Sequence, residues 1–356
     1  MWFQRAKTLV GIDIGSHAIK LVRFTPAGSE LNLANVALFP LPPEAVIDGV
    51  ISHAPAVQDA LRRLIALEKI TEKDVALALS GHSVIVKKVQ MVRMSADELA
   101  GAMPYEAEQH LPFDVYDVNT DFQILEPLDK SSGKGSQMEV LLAAAKKERV
   151  DELSRVAQAA NLRPAIVDVD MLALMNCFEL NYPEDITGHV VSLVHIGASM
   201  LTVLVLKDGI STFQRDTPLG GNQYTAALQK TFALGVEEAE AIKVGGRPST
   251  QPVAETLAIL RSVTEDLVVE IQRSFEFYLA SAGEDTIEKV YLSGGCARMK
   301  GLCPLLGSRL KLPFEPLDPF RSVHIPEKLF DRAYVHDMGP MVAVAAGLAL
   351  RRKDER

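Results

Sequence analysis

Apolar residues in this chain fall in short dense runs separated by glycine-bearing turns, with long helical stripes confined to a few segments. Leu9 to Ile14 is one such run; it halts at Gly15-Ser16-His17 and resumes from Ile19 to Phe24, the pattern of strand, tight turn and strand. The shape returns in the second half. Val191 to Ile196 is apolar, Gly197-Ala198-Ser199 turns, Leu201 to Leu206 runs on, and Asp208-Gly209 turns into Ile210 to Phe213. LVGIDIGSHAIKLVRF (9–24) and VSLVHIGASMLTVLVL (191–206) register at an offset of 182 residues, about half of the 356. Identity is confined to Ile14/Ile196 and Gly15/Gly197, so pattern carries the repeat. It predicts two related halves, each opening with a hairpin.

A segment of another character lies between them. Val75 to Leu79 and Val84 to Val92 read as strands, and Ser95 to His110 as a helix with Ser95 at the N-cap and Glu98 as its capping-box partner. Phe122 to Leu125 and Met138 to Ala145 pair around the polar loop Lys130 to Ser136. Val150 to Ala160 is an amphipathic helix and Ala165 to Val169 a strand. The order β-α-β-β-α-β predicts a small α+β domain over residues 72–163, inserted in the first half. In the second half a helical tract runs from Thr225 to Gly245, a linker from Gly246 to Pro252, and a helix from Val253 to Ala282. Glu288 to Leu292 is a strand ending in Ser293-Gly294-Gly295, a helix starts near Met299, and Gly339 to Arg351 forms a closing helix of small residues.

Composition narrows the function classes. Hydrophobic residues are 48% and charged residues 23%, an ordinary globular balance, and the net charge of −9 argues against a broad nucleic-acid-binding face. Cys177, Cys296 and Cys303 show no CxxC spacing, so neither a disulfide framework nor a zinc centre is expected. The start MWFQRAK has no small-residue cleavage site, and the near-apolar stretch Gly339 to Leu350 is short for a bilayer. A soluble cytoplasmic protein is the expectation. Gly133-Lys134-Gly135 lacks the spacing of a Walker motif, and the scattered histidines, His82 among them, lack ligand spacing.

Four elements carry candidate chemistry. The hairpin turn after Asp13 presents backbone N–H groups as a nest for phosphate oxygens, with the Ser16 hydroxyl beside it, Asp13 placed to hold a hydrated Mg²⁺, and Lys20 on the returning strand. A turn that merely needs glycine reads the same way. The matching turn at His195 to Ser199 would close on a polyphosphate from the other half. Ser293-Gly294-Gly295 lets a flat ring approach the backbone, though a helix-initiating turn has the same letters. Arg215-Asp216, Gly220-Gly221 and Glu240 with Lys243 form the fourth; a three-residue spacing puts Glu240 and Lys243 on one helix face, where a surface ion pair is the competing reading.

Taken in order over two halves, these elements resemble the actin-like ATPase superfamily. Within it the chain is most similar to the PilM family of type IV pilus assembly, on GIDIGSHAIKLVRF, the inserted unit, the R-D…L-G-G…T-x-x-L run (Arg215 to Leu228) and EEAEAIK (Glu237 to Lys243). The resemblance implies an α/β, actin-like (ribonuclease H-like, duplicated) two-lobed fold with the inserted α+β (SHS2-like) domain. Residues 1–71, 164–187 and 336–356 would form the first lobe, 72–163 the insert, 188–245 and 283–335 the second lobe, and 246–282, or from near 225, a helical subdomain.

It further implies ATP and Mg²⁺ in the cleft. Gly15, Ser16, His17 and Lys20 would hold phosphates from one side and Gly197, Ala198 and Ser199 from the other, with Asp13 reaching the metal through water. Glu240 and Lys243 would contact adenosine or ribose, Gly294 and Gly295 would lie along the base, and Gly220 and Gly221 would shape the cleft floor. Asp170 would orient the attacking water. The implied partner is the N-terminal cytoplasmic peptide of PilN, in a groove beside the insert with Val84 to Val92 as a lining strand. Pilus motor or platform proteins and further copies of the chain are other candidates; nucleic acid and direct membrane insertion are not expected.

One residue departs from the pattern: His195 stands where relatives carry an Asp that binds a metal-coordinated water. An imidazole brings no fixed negative charge, so the expectation is nucleotide binding with weak or absent ATPase activity. The alternatives are an FtsA-like filament-forming division protein and a small-molecule kinase.

Overall fold

The computed structural model describes residues 9–28, 30–81, 84–111, 114–125, 137–245, 250–283 and 285–353. The N-terminal residues Met1 to Thr8, His82, the loop Lys130 to Ser136 with Gly133-Lys134-Gly135, most of the linker at 246–249 and the end at 354–356 lie outside them.

The expected duplication appears as two sheets of matching order. In the first half the strands lie Arg163–Val169, Asp74–Leu79, Val10–Ile14, Ala18–Ala27, Glu30–Pro40 and Val323–His324; in the second, Phe314–Pro316, Lys289–Ser293, Val190–Ile196, Leu201–Lys207 and Ile210–Thr217. Each sheet joins an antiparallel three-strand meander to two parallel strands on one side, and the first adds Val323–His324 parallel to Glu30–Pro40 on the other. The 182-residue offset holds atom by atom at the first turn. Asp13 pairs with Lys20 and His195 with Thr202, while Gly15 N–H donates to Ala18 O at 3.1 Å and Gly197 N–H to Met200 O at 2.8 Å.

Between the two sheets lie the helices Asp170–Asn181 and Arg332–Leu350. Their residues Met171, Leu174, Phe178, Val342, Ala345 and Leu348 share one core with Val22 and Phe24 of the first sheet and Leu193 and Leu204 of the second. Small residues let these layers approach: a Cβ on Gly347 would stand 1.7 Å from Ala173 O, and one on Gly11 2.1 Å from Ala345 O. The closing helix starts earlier than the sequence suggests, at Arg332, because the Asp331 side chain accepts from Ala333 and Tyr334 N–H and the chain carries Pro340 within the helix. Its 19 residues contain an 18-residue stretch of mean hydropathy 1.3, long and apolar enough to cross a membrane, but 67% of that stretch is buried inside the fold, as in a core helix.

The expected insert divides on inspection of its pairing. Asp74–Leu79 joins the first-half sheet beside Val10–Ile14, and Arg163–Val169 pairs with it in turn. The helix Lys147–Ala159 packs Leu153, Val156 and Ala157 against Leu61 and Leu64 of the helix Ala54–Leu67. VALAL (75–79) is a continuous apolar run, the mark of a strand covered on both faces and hence of a central parallel strand. What has a sheet of its own is Val84–Val92, Gln137–Lys146 and Val118–Ile124, antiparallel in that order. The helix Ala96–His110 covers one face of it through Leu99, Met103 and Ala107. The capping box is as expected: Ser95 Oγ accepts from Glu98 N–H at 3.3 Å, and the Glu98 carboxylate accepts from Ser95 N–H at 2.8 Å.

The helical tract of 225–245 is two helices, Gly221–Phe232 and Val236–Val244, broken where Ala233 takes a left-handed φ of 52°. That break folds the second helix back so that Glu240 meets Thr225. The long helix Val253–Ser281 packs Leu260 near these two at its start and lays Leu267, Ile271 and Phe275 on the second sheet thereafter. Val323–His324 pairs with Leu31 and Asn32 of the first sheet, within a stretch the sequence assigns to the second lobe.

Candidate functional site

The two hairpin turns face each other across a cleft of about 330 Å³. The Ser16 and Ser199 hydroxyls, one from each half, are hydrogen-bonded at 2.9 Å. Asp13, Gly15, Ser16, His17 and Lys20 line one wall, and His195, Gly197, Ala198 and Ser199 the other, with Asp170, Gly221, Glu240, Lys243 and Gly295 completing it. Of the expected residues, Gly220 and Gly294 stand outside the lining, and each has a backbone task instead. A Cβ on Gly220 would come within 2.7 Å of Gly197 O and Ala198 O, and the neighbouring N–H groups of Gly221 and Asn222 donate to those carbonyls at 2.9 and 2.8 Å. The start of the helix Gly221–Phe232 thus holds the second turn in place. Gly294, at a φ of 90°, passes Ile196 so closely that a Cβ would stand 2.3 Å from its carbonyl oxygen.

Charge in the cleft is unevenly paired. Lys20 Nζ donates to Asp13 Oδ2 at 2.8 Å across the first hairpin. In the matching pair of the second hairpin, His195 Nδ1 lies 3.0 Å from Ser293 Oγ and Thr202 Oγ1 donates to Asp216 Oδ1 at 2.6 Å. Burial, and then the Lys20 charge, push the His195 imidazole down to a pKa of about 4, so the ring is neutral at physiological pH. Asp170 opens the helix Asp170–Asn181 and accepts from Met171 N–H at 2.7 Å. Burial, followed by the nearby charges of Asp216 and Asp13, raises its carboxyl well above the ordinary range. Arg215 turns away, to Glu270 and Ser274 at 3.1 Å each and over the Phe277 ring.

At the other end, Glu240 and Lys243 form a network rather than a surface pair. Lys243 Nζ donates to Glu240 Oε1 at 2.6 Å, to Thr225 Oγ1 at 3.1 Å and to Gly221 O at 3.3 Å, and the Thr225 hydroxyl also donates to Glu240. Lys243 is buried and Glu240 keeps a partly open face toward the cleft. His17 stands nearby: desolvation of its ring at the cleft mouth, foremost, lowers its pKa, and Glu240 opposes that.

Sequence reasoning missed Asp48, Gly49, Ser80, Gly81, Met200 and Arg298 in the lining. Asp48-Gly49 and Ser80-Gly81 are turn dipeptides at strand ends, a signal shared by every surface turn, and only the tertiary fold brings them here. Asp48, Gly49 and Gly81 all have positive φ, and Gly81 reaches the second half, with its Cβ position 3.7 Å from the Met200 methyl.

A profile of the family described as type IV pilus assembly protein PilM matches residues 11–353. A solved structure titled "PilM-PilN type IV pilus biogenesis complex" is 29% identical, covers 99% of this chain and 100% of its own, and superposes with a TM-score of 0.85. Ethanolamine utilization protein EutJ from Carboxydothermus hydrogenoformans, 17% identical with 97% and 90% covered, gives 0.57. MreB5 of Spiroplasma citri bound to AMPPNP, 12% identical with 96% and 95% covered, gives 0.53. The last two likenesses show the fold, which is that of the actin-like ATPases.

Proposed function

The chain belongs to the PilM family of type IV pilus assembly proteins, and from that premise we propose that it binds ATP in the inter-lobe cleft, turns it over slowly or not at all, and holds the N-terminal peptide of PilN beside its inserted unit. The observation that carries the nucleotide reading is the meeting of Ser16 and Ser199 across one cleft, since two glycine turns this close are within reach of one polyphosphate. In this reading Lys20, while paired with Asp13, also faces a phosphate, the turns at Gly15–His17 and Gly197–Ser199 hold phosphate oxygens, Glu240 and Lys243 take the ribose, and Gly295 lies along the base. Gly220, Gly221 and Gly294 act by holding the second turn.

The donor set does not suit Mg²⁺. Mg²⁺ takes hard oxygen donors, one or two carboxylates beside phosphates and waters. Here one carboxylate, Asp13, is shared with an ammonium, the opposite strand end offers a neutral imidazole, and burial favours a protonated Asp170. The same arrangement supports slow turnover: the burial that raises the Asp170 carboxyl favours its protonated form, which cannot take a proton from water.

For the partner, a family member is known from a PilM–PilN complex. Extended peptides commonly add to an open sheet edge, and the inserted sheet has two outer strands, Val84–Val92 and Val118–Ile124. We place the peptide along Val84–Val92, where Lys88 and Gln90 reach Glu139 at 3.2 and 3.3 Å. The domain division that follows takes Val84–Lys146 as the insert. A cytoplasmic protein drawn to the inner membrane by PilN fits this role.

Two titrations test the reading. Fluorescent ATP should bind the full chain at one site, and Ser16→Val with Ser199→Val should weaken it by about tenfold or more; affinity indifferent to both would remove the cleft from consideration. A labelled peptide of the first dozen PilN residues should gain anisotropy with the chain and lose it with Val86→Glu. No gain with wild type would refute the partner assignment.

A further inference from the structure

Ser293 ends the strand Lys289–Ser293 and is fully buried; among the described residues its hydroxyl meets one group, Nδ1 of His195, at 3.0 Å. The two residues are register partners on adjacent parallel strands, so the contact is fixed by the sheet. A buried hydroxyl has one proton to place and needs an acceptor for it. Nδ1 is the acceptor at hand, and a ring that accepts at Nδ1 carries its proton on Nε2. That second nitrogen lies on the edge beside the phosphate turn: the Cβ position of Gly197 is 3.7 Å from it, and His195 lines the cleft.

We propose that His195, fixed in its Nε2–H form by Ser293, donates a neutral hydrogen bond to a phosphate oxygen, so that this cleft takes a nucleoside triphosphate without a divalent cation. The inference rests on the nucleotide reading given above. Its logic is one of charge. Mg²⁺ is held by carboxylate, phosphate and water oxygens; of the two facing strand ends this chain puts a carboxylate at one, Asp13, already facing Lys20 at 2.8 Å, and a neutral imidazole at the other. With the metal absent, Lys20 and the two turns carry the phosphate charge, and a neutral N–H at His195 adds a bond without adding repulsion. Ser293 is a positioning residue: it touches no ligand and acts by choosing which nitrogen carries the proton.

Calorimetric titration of the full chain with ATP, once in Mg²⁺ and once in excess EDTA, tests this. The wild type should bind in both, with affinities within about threefold, because no ligand sphere is lost. His195→Asp should make binding metal-dependent, weaker by about tenfold or more in EDTA, the scale of one unfavourable charge or one lost charge-assisted bond. His195→Gln keeps a neutral N–H donor and should retain the EDTA affinity. Ser293→Ala should weaken binding in both buffers, and the ¹⁵N signals of His195 should show Nε2 protonated in the wild type and a mixture of ring forms in the variant, a readout that a purely structural Ser293 would not move. Wild-type binding that falls by tenfold or more in EDTA overturns the proposal while leaving the nucleotide site standing. Absence of binding in either buffer overturns both.

Discussion

His195 and Asp170 illustrate how the same environment acts oppositely on a base and an acid. Burial favours the neutral form of each. For His195, with a folded pKa near 4, the unfolded chain binds more protons between about pH 6.5 and 4, so its contribution to stability is intact above that window and is lost as pH falls through it. For Asp170 the folded carboxyl holds its proton to higher pH than the unfolded one, so its contribution falls as pH rises from about 4 toward the raised folded value. Asp170→Asn removes that cost. Thermal melts should therefore show the variant more stable than wild type at pH 7–8 and nearly equal at pH 4; a lower melting temperature at pH 8 would mean the carboxylate is ionised and paired. Gly294 gives a second residue-scale outcome. A methyl there meets Ile196 O at 2.3 Å in a left-handed backbone, so Gly294→Ala should cost about 2–4 kcal/mol in denaturant unfolding. The letters of this glycine suggest approach to a ring; the structure adds a second demand on it, a strand carbonyl as its close neighbour.

At the scale of elements, what the chain discloses depends on whether the signal is local. The capping box at Ser95 is local and was legible; Ser95→Ala should cost about 1 kcal/mol in equilibrium unfolding, and no change would mean the helix Ala96–His110 is held wholly by its apolar face. The hairpin at Gly15 and its copy at Gly197 were legible for the same reason. By contrast, Asp74–Leu79 reads as a strand but not as whose strand it is, because pairing is decided by partners far away in sequence. The break at Ala233 was invisible, since alanine ordinarily extends a helix. Yet that break gives Glu240 its contact with Thr225, which the ion-pair spacing alone did not suggest. The closing helix reads short in the sequence because Gly339 and Pro340 look like a beginning. Its small residues are there for contact: Gly347→Ala puts a methyl 1.7 Å from Ala173 O, and melting should fall by at least about 5 °C. Retention of the wild-type midpoint would show that the two central helices can part without penalty.

For the whole molecule, duplication is the source of the site. One hairpin in a sheet is a turn; two related hairpins, brought together by sheets that share a core between them, enclose a cleft. The sequence shows the two copies, but not that their turns meet, which depends on the helices Asp170–Asn181 and Arg332–Leu350 spacing the sheets. Asp48, Ser80 and Arg298 enter the lining only at this scale. The most direct measurement uses the contact itself. In a chain carrying Ser16→Cys and Ser199→Cys, mild oxidation should join the two halves through one cross-link, mapped by peptide digestion, because the hydroxyls they replace are 2.9 Å apart. Saturating ATP, lying between the turns, should suppress that cross-link. Its formation at the same rate with and without ATP would contradict the account.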